Sequence, residues 1–185
     1  MKSFKGLMVL AALAGSLAWA DDIAVVSLHP LVAEKDSQAV LEPGLLGNWS
    51  DFEITADGEA RYKVKIDEDS FTLRLMRFNG MLLGDLRFGK NGLPVHIFMT
   101  LKLDGDKLHV RFLGNKWLSD TIRELAWPRF ETLEEEDGSG ILLTASTTDL
   151  RRDLLVYFCD ERALDEELTF DRKEAADPEN AEAGR

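Results

Sequence analysis

The stretch "FTLRLMRFNGMLLGDLRF", residues 71–88, is two strand-like runs meeting at one dipeptide. Asn79-Gly80 is a strong hairpin signal, because both central positions of the favoured two-residue turn need positive φ. Opposed residues of an antiparallel pair share a face. The turn therefore sets Phe78 against Met81, Arg74 against Asp85 and Thr72 against Arg87. One face carries Phe71, Leu73, Leu75, Leu82, Leu86 and Phe88. The other starts polar, with Arg74 and Asp85 as a cross-strand ion pair. Towards the tip it turns apolar through Met76, Phe78, Met81 and Leu83. A sheet with one solvated face does not need that second patch, so the tip is either covered or a contact surface.

Two similar units flank this hairpin. Upstream, a turn at Asp57-Gly58-Glu59 sets Ala56 against Ala60, Ile54 against Tyr62, Phe52 against Val64 and Glu53 against Lys63. Trp49 is out of phase with Phe52 and Ile54, which implies a bulge or bend near Ser50. Downstream, Asp104-Gly105 sets Leu101 against Leu108, Met99 against Val110 and Ile97 against Phe112. Phe98, Thr100, His109 and Arg111 share the opposite face. Three successive hairpins, each with an apolar face, predict a mainly β (α+β) fold: an antiparallel meander forming a curved sheet or partial barrel.

The last third changes character. "KWLSDTIREL" spaces Leu118, Ile122 and Leu125 as a short helix that Pro128 helps to stop. "RFETL" and "GILLTAS" flank Asp137-Gly138-Ser139-Gly140 as a fourth hairpin. Ser146 and Asp149 form a capping box opening a second helix, with Leu150, Leu154, Tyr157 and Phe158 on one side. "LDEELTFDR" adds a final strand through Leu168 and Phe170. The domain reading is a signal peptide over 1–20, an extended lead-in over 21–44 and a single β-rich domain over 45–173. An acidic tail over 174–185 has a disordered composition.

The first 20 residues follow the order of a secretory signal: Lys2 and Lys5, the apolar run Gly6 to Ala14, then Ala18-Trp19-Ala20. Cleavage before Asp21 is the prediction, and no later stretch is apolar enough to span a bilayer. The expected destination is the periplasm or the extracellular space. Cleavage leaves 20 basic against 34 acidic residues. That balance excludes nucleic acid as a partner, since neutralising phosphate needs clustered Lys and Arg. Cys159 is the lone cysteine, cannot form an internal disulfide, and reads as a buried structural thiol within "LLVYFCD".

Chemistry finds little purchase. In the derived register His109 lies opposite Thr100 and His96 opposite Leu113, while His29 is in the lead-in. No set of ligands converges as a metal site requires, so neither metal nor cofactor is expected. There is no Gly-x-Ser-x-Gly, and the Ser and Thr residues at 144–148 serve a helix cap. "FGKNGLP" lacks phosphate-loop spacing. The Asn48-Trp49-Ser50 sequon stands alone. An enzyme is not expected.

The Gly47-Asn48-Trp49 start before a hairpin meander resembles the opening of a lipocalin-type barrel. That resemblance implies a tryptophan at a closed end, a closing arginine and a calyx for an apolar ligand. Five further segments, "SLHPLVAEKD", "PGLLGNW", "GLPVHIF", "KWL" and "LLTASTTDL", are in that order similar to an uncharacterised family of bacterial envelope proteins, many of them lipoproteins. That similarity implies class and location and assigns no catalytic residue. Here Ala20-Asp21 stands where such proteins carry a lipidated cysteine.

Two expectations follow. The first is a non-enzymatic binding protein holding a lipid or other apolar small molecule, walled by Phe71, Leu73, Leu75, Leu86, Phe88, Met99 and Phe112. The second is an envelope protein–protein interaction module without a pocket, touching its partner through Met76, Phe78, Met81 and Leu83.

Overall fold

The computed structural model describes residues 25–88, 94–125, 130–135 and 138–173. The expected signal peptide over 1–20 and the expected disordered tail over 174–185 lie outside these residues. In chain order the strands are β1 (Val25–Ser27), β2 (Gly47–Asn48), β3 (Glu53–Ala56), β4 (Tyr62–Ile66), β5 (Asp69–Phe78), β6 (Met81–Phe88), β7 (Val95–Asp104) and β8 (Lys107–Phe112). After helix α1 (Asn115–Leu125) come β9 (Phe130–Glu135), β10 (Gly138–Leu143), helix α2 (Thr147–Leu154) and β11 (Leu168–Asp171). The fold is mainly β, in one mixed sheet with two short helices.

Strands β2 to β8 pair each with the next, all antiparallel. The second hairpin has the register that Asn79-Gly80 dictates, with Phe78 against Met81 and Arg74 against Asp85. Asn79 and Gly80 both have positive φ, 48° and 82°. The first hairpin is shifted by two residues from the sequence reading: Ile54 opposes Val64 and Ala56 opposes Tyr62. The loop closes instead at Asp57 and Arg61, through Asp57 N donating to Arg61 O and a side-chain ion pair of 2.8 Å. Gly58 and Ala60 inside it take φ of 89° and 50°. The third hairpin is also shifted by two, because the turn residues are Gly105-Asp106 and Asp104 opposes Lys107. A slip of two keeps every side chain on its face. Thus the inward sets read from sequence survive, with Met99 now directly opposite Phe112.

Of the bulge or bend expected near Ser50, the structure has the bend: Ser50 and Asp51 turn the chain between β2 and β3, and Trp49 N donates to Phe52 O at 2.8 Å across it. The lead-in also does more than cross the body. Its β1 inserts between β7, through the antiparallel pair Ser27 and His96, and β10, to which it runs parallel. β7 therefore forks. One end carries β1, β10 and β9, and the other carries β8 and then β11. At the far end of β11, Arg172 bridges Trp49, and Lys173 N donates to Asn48 O at 2.9 Å. The end of the last strand thereby meets β2.

Two apolar clusters occupy the two faces of the β2–β8 part of the sheet. The first holds Leu45, Trp49, Ile54, Tyr62, Val64, Leu73, Leu75, Leu86, Met99 and Val110 among others. The second holds Leu31, Val32, Met76, Leu83, Phe98, Leu118, Leu150, Leu154 and Phe158, under the segment 28–42 and the helices. Each fully buried Leu or Phe contributes about 1.5–3 kcal/mol, so both clusters are major stabilising terms. Ser146 caps α2 as its spacing predicts, accepting from Asp149 N. The α-helix ends at Leu154, however, and a 3-10 turn over Tyr157–Cys159 follows. That turn buries Phe158 and leaves Cys159 exposed, which corrects the expectation of a buried thiol.

Candidate functional site

All seven wall residues from the sequence reading lie in the first cluster. Phe71, Leu73, Leu75, Leu86 and Met99 are buried, and Phe88 and Phe112 are half-buried against them. Period-2 alternation places them there: odd positions of β5 and even positions of β6 point to the same side. Phe71 and Phe88 meet edge to face at 5.9 Å between centroids. Gly84, opposite Leu75, keeps this interior tight, because a Cβ there would lie 2.9 Å from Leu101 Cδ1 and 3.0 Å from Met99 Cγ.

The Trp49 end of the cluster is held by a residue that the sequence reading did not place. Arg172 lies over the Trp49 ring, its guanidinium carbon 4.3 Å from the centroid. Its Nη1 donates to Leu46 O at 2.7 Å and its Nη2 to Gly44 O at 2.5 Å. Trp49 Nε1 in turn donates to Leu45 O at 3.0 Å. Gly47 has φ of +134°, and a Cβ on it would lie 2.6 Å from Arg172 Nη1. The glycine of the Gly-x-Trp start is therefore required twice, once by its backbone and once by the arginine. The signal that could have found Arg172 was its position directly after the last strand.

Inside the cluster Tyr62 is almost completely enclosed, at 1% exposure. Its hydroxyl oxygen accepts a hydrogen bond from Glu42 N, and the Glu42 carboxylate pairs with Arg77 at 2.6 Å. Burial pushes the Tyr62 hydroxyl above the ordinary tyrosine value. Sequence reasoning placed Tyr62 on this face only as a core residue, since a phenol in a strand has no motif around it.

The four residues of the proposed contact patch are not free. Met76 and Leu83 are buried, and Phe78 and Met81 are half-buried in the second cluster. The tip is covered by the chain's own lead-in and C-terminal segments. The segment 28–42 is pinned there by Val40 N donating to Leu75 O, Thr147 Oγ1 to Pro30 O, and Arg151 Nε to Leu31 O.

The same segment reveals a polar group beneath it. Asp85, 2% exposed, accepts from Val32 N at 2.9 Å and faces His96 Nδ1 at 2.6 Å. The expected Arg74–Asp85 pair has the right register but not the bond: Arg74 reaches Glu34 at 3.3 Å instead. His96 is opposed by Arg87 and Ser27, and His109 by Lys102, so neither histidine has the partner read from sequence. Ser27 Oγ donates to His29 O at 2.8 Å, within its own turn. Among the described residues no group of three or more His, Cys, Asp or Glu side chains could hold a metal ion, and no helix is long and apolar enough to cross a membrane.

Comparison of the chain with family models, with curated proteins and with solved structures returns no match.

Proposed function

We propose that this chain is an exported, non-enzymatic binding protein whose lipocalin-like β-body holds a lipid or other apolar small ligand. The observation that carries the reading is convergence. Residues from β5, β6, β7 and β8 that the sequence set on one face, Phe71 to Phe112, meet in a single apolar cluster. The reading draws support from the contact of Trp49 with Arg172, which sets the residue after β11 against the residue after β2. The packed interior means that a ligand enters by displacing half-buried side chains such as Phe88 and Phe112, as small-molecule sites need concave apolar space. An envelope interaction module acting through Met76, Phe78, Met81 and Leu83 would first need the covering segment lifted off them.

The test is native mass spectrometry of the exported protein purified without detergent, followed by lipid extraction. A stoichiometric small molecule supports the reading. A protein that emerges empty, and stays empty after incubation with total lipid extract, overturns it. N-terminal sequencing of the same sample checks export, with Asp21 as the expected first residue.

A further inference from the structure

Between Val32 and Leu45 the lead-in changes how it is held. Leu31, Val32 and Leu45 are 0% exposed, whereas no residue from Ala33 to Glu42 is buried. What fixes this arc is polar. Glu34 pairs with Arg74 at 3.3 Å, Glu42 with Arg77 at 2.6 Å, and Asp36 with Arg151 of α2. Val40 N donates to Leu75 O, and Glu42 N to the Tyr62 hydroxyl oxygen. The ends of the arc are pinned separately, by Val32 N donating to Asp85 and by Arg172 donating to Gly44 O. Beneath the arc lies the second half of β5. β4 reaches β5 only as far as Tyr62 opposite Leu73, and beyond that point Ala39 takes up the pairing by bridging Met76.

We propose that residues 33–42 are an electrostatically latched strap, which lifts from β5 as one unit between its pinned ends while the sheet stays folded. Segments with few buried apolar contacts open at a lower free energy than the core they lie on. Two of the three latching pairs have a member more than half exposed, Glu34 at 73% and Arg77 at 53%, so dissolved salt screens them. Asp36, at 6%, is the part of the latch that salt reaches least. Lifting the strap bares β5 at Leu75 and Met76, and a bare sheet edge is a template for pairing with another chain. The latch keeps that edge taken. This holds whether or not the β-body carries a ligand.

Native-state hydrogen exchange, read by NMR at the Val40 and Glu42 amides, tests the strap. Raising the ionic strength from about 0.01 M to about 1 M shortens the screening length from about 30 Å to about 3 Å. Exchange at both amides should then speed up about two- to fivefold relative to the amides of β6, the scale of exposed ion pairs. Unchanged rates overturn the latch. Urea added below the unfolding transition separates local from global opening. The Val40 and Glu42 rates should hardly respond to it, because lifting one arc exposes little surface. A urea slope equal to that of the β6 amides overturns the strap, since the arc then opens only when the sheet unfolds. Arg77→Gln, at a half-exposed position, should raise both rates at low salt and remove a large share of the salt response, with the β6 amides unmoved. A variant that keeps the parent rates and the parent salt response overturns the electrostatic latch.

Discussion

Arg172 lies over the Trp49 ring while two of its nitrogens donate to the carbonyls of Gly44 and Leu46. One side chain thus ties the residue after the last strand to the turn before β2 and to the core tryptophan. Guanidinium geometry makes this possible, since a planar fork can stack and donate at once where an ammonium cannot. Replacing Arg172 with Ala should cost about 2–3 kcal/mol, from the stacking contact and the two charged hydrogen bonds together. Arg172→Lys should recover only a minor part. Urea denaturation followed by Trp fluorescence measures both, and an alanine variant as stable as the parent would show the latch to be idle.

Gly47 and Arg172 should not behave independently. Gly47→Ala forces a side chain into positive φ and into the space of Arg172 Nη1. Residues in contact couple, so the double variant Gly47→Ala with Arg172→Ala should be less destabilised than the sum of the two single changes. Additivity within about 0.5 kcal/mol, the level seen for independent sites, would sink the coupling.

Asp85 is the polar keystone of the second layer. Removing its carboxylate strands the Val32 N–H and the His96 ring nitrogen in a buried place. Asp85→Ala should therefore cost roughly 1–3 kcal/mol for each buried hydrogen-bonding group it leaves unmatched. Asp85→Asn keeps one acceptor and should cost less. Hydrogen exchange gives the location: amides of the segment 28–42 should lose protection first, and uniform loss across the sheet would contradict the assignment.

Gly84 tests how full the interior is. A methyl group there meets Leu101, Met99 and Leu73 within about van der Waals contact or closer. Overpacking of this kind costs about 1–3 kcal/mol, so Gly84→Ala should lower the urea midpoint with an unchanged slope. A neutral or stabilising result would mean that the interior has room beside Gly84.

Asp160 offers a pH-dependent readout. Hydrogen bonds from the Arg162 side chain and backbone hold its carboxyl at about 2, below its ordinary 3.8. A carboxyl depressed on folding contributes stability that is present above the ordinary value and lost as pH falls towards 2. Carbon-13 NMR titration of the Asp160 carboxyl should show its midpoint near 2. Arg162→Ala should return it towards the ordinary range, and an unmoved midpoint would remove Arg162 as the cause.

Local sequence was sufficient for the β-body and for the sidedness of its strands. Asn79-Gly80 fixed its hairpin outright, because a two-residue turn leaves no freedom of register. The other two hairpins kept their faces but moved by two residues. Their turns are closed by contacts that pattern does not contain, such as the Asp57–Arg61 ion pair. The cap at Ser146 was equally legible, since a capping box involves residues only three apart.

Contacts between segments far apart in the chain were decided only in three dimensions. Val25 to Ser27 had strand-like composition, yet nothing nearby specified insertion between β7 and β10. Asp85 and Arg74 are cross-strand neighbours, but the lead-in's Val32 N and Glu34 redirect both to other partners. The covered tip, the exposed Cys159, the enclosed Tyr62 hydroxyl and the Arg172 latch share that origin. Periodicity reports which side a residue faces within its own element. What stands on that side is set by the packing of whole elements, whose energy is spread over many weak contacts with no local sequence signature.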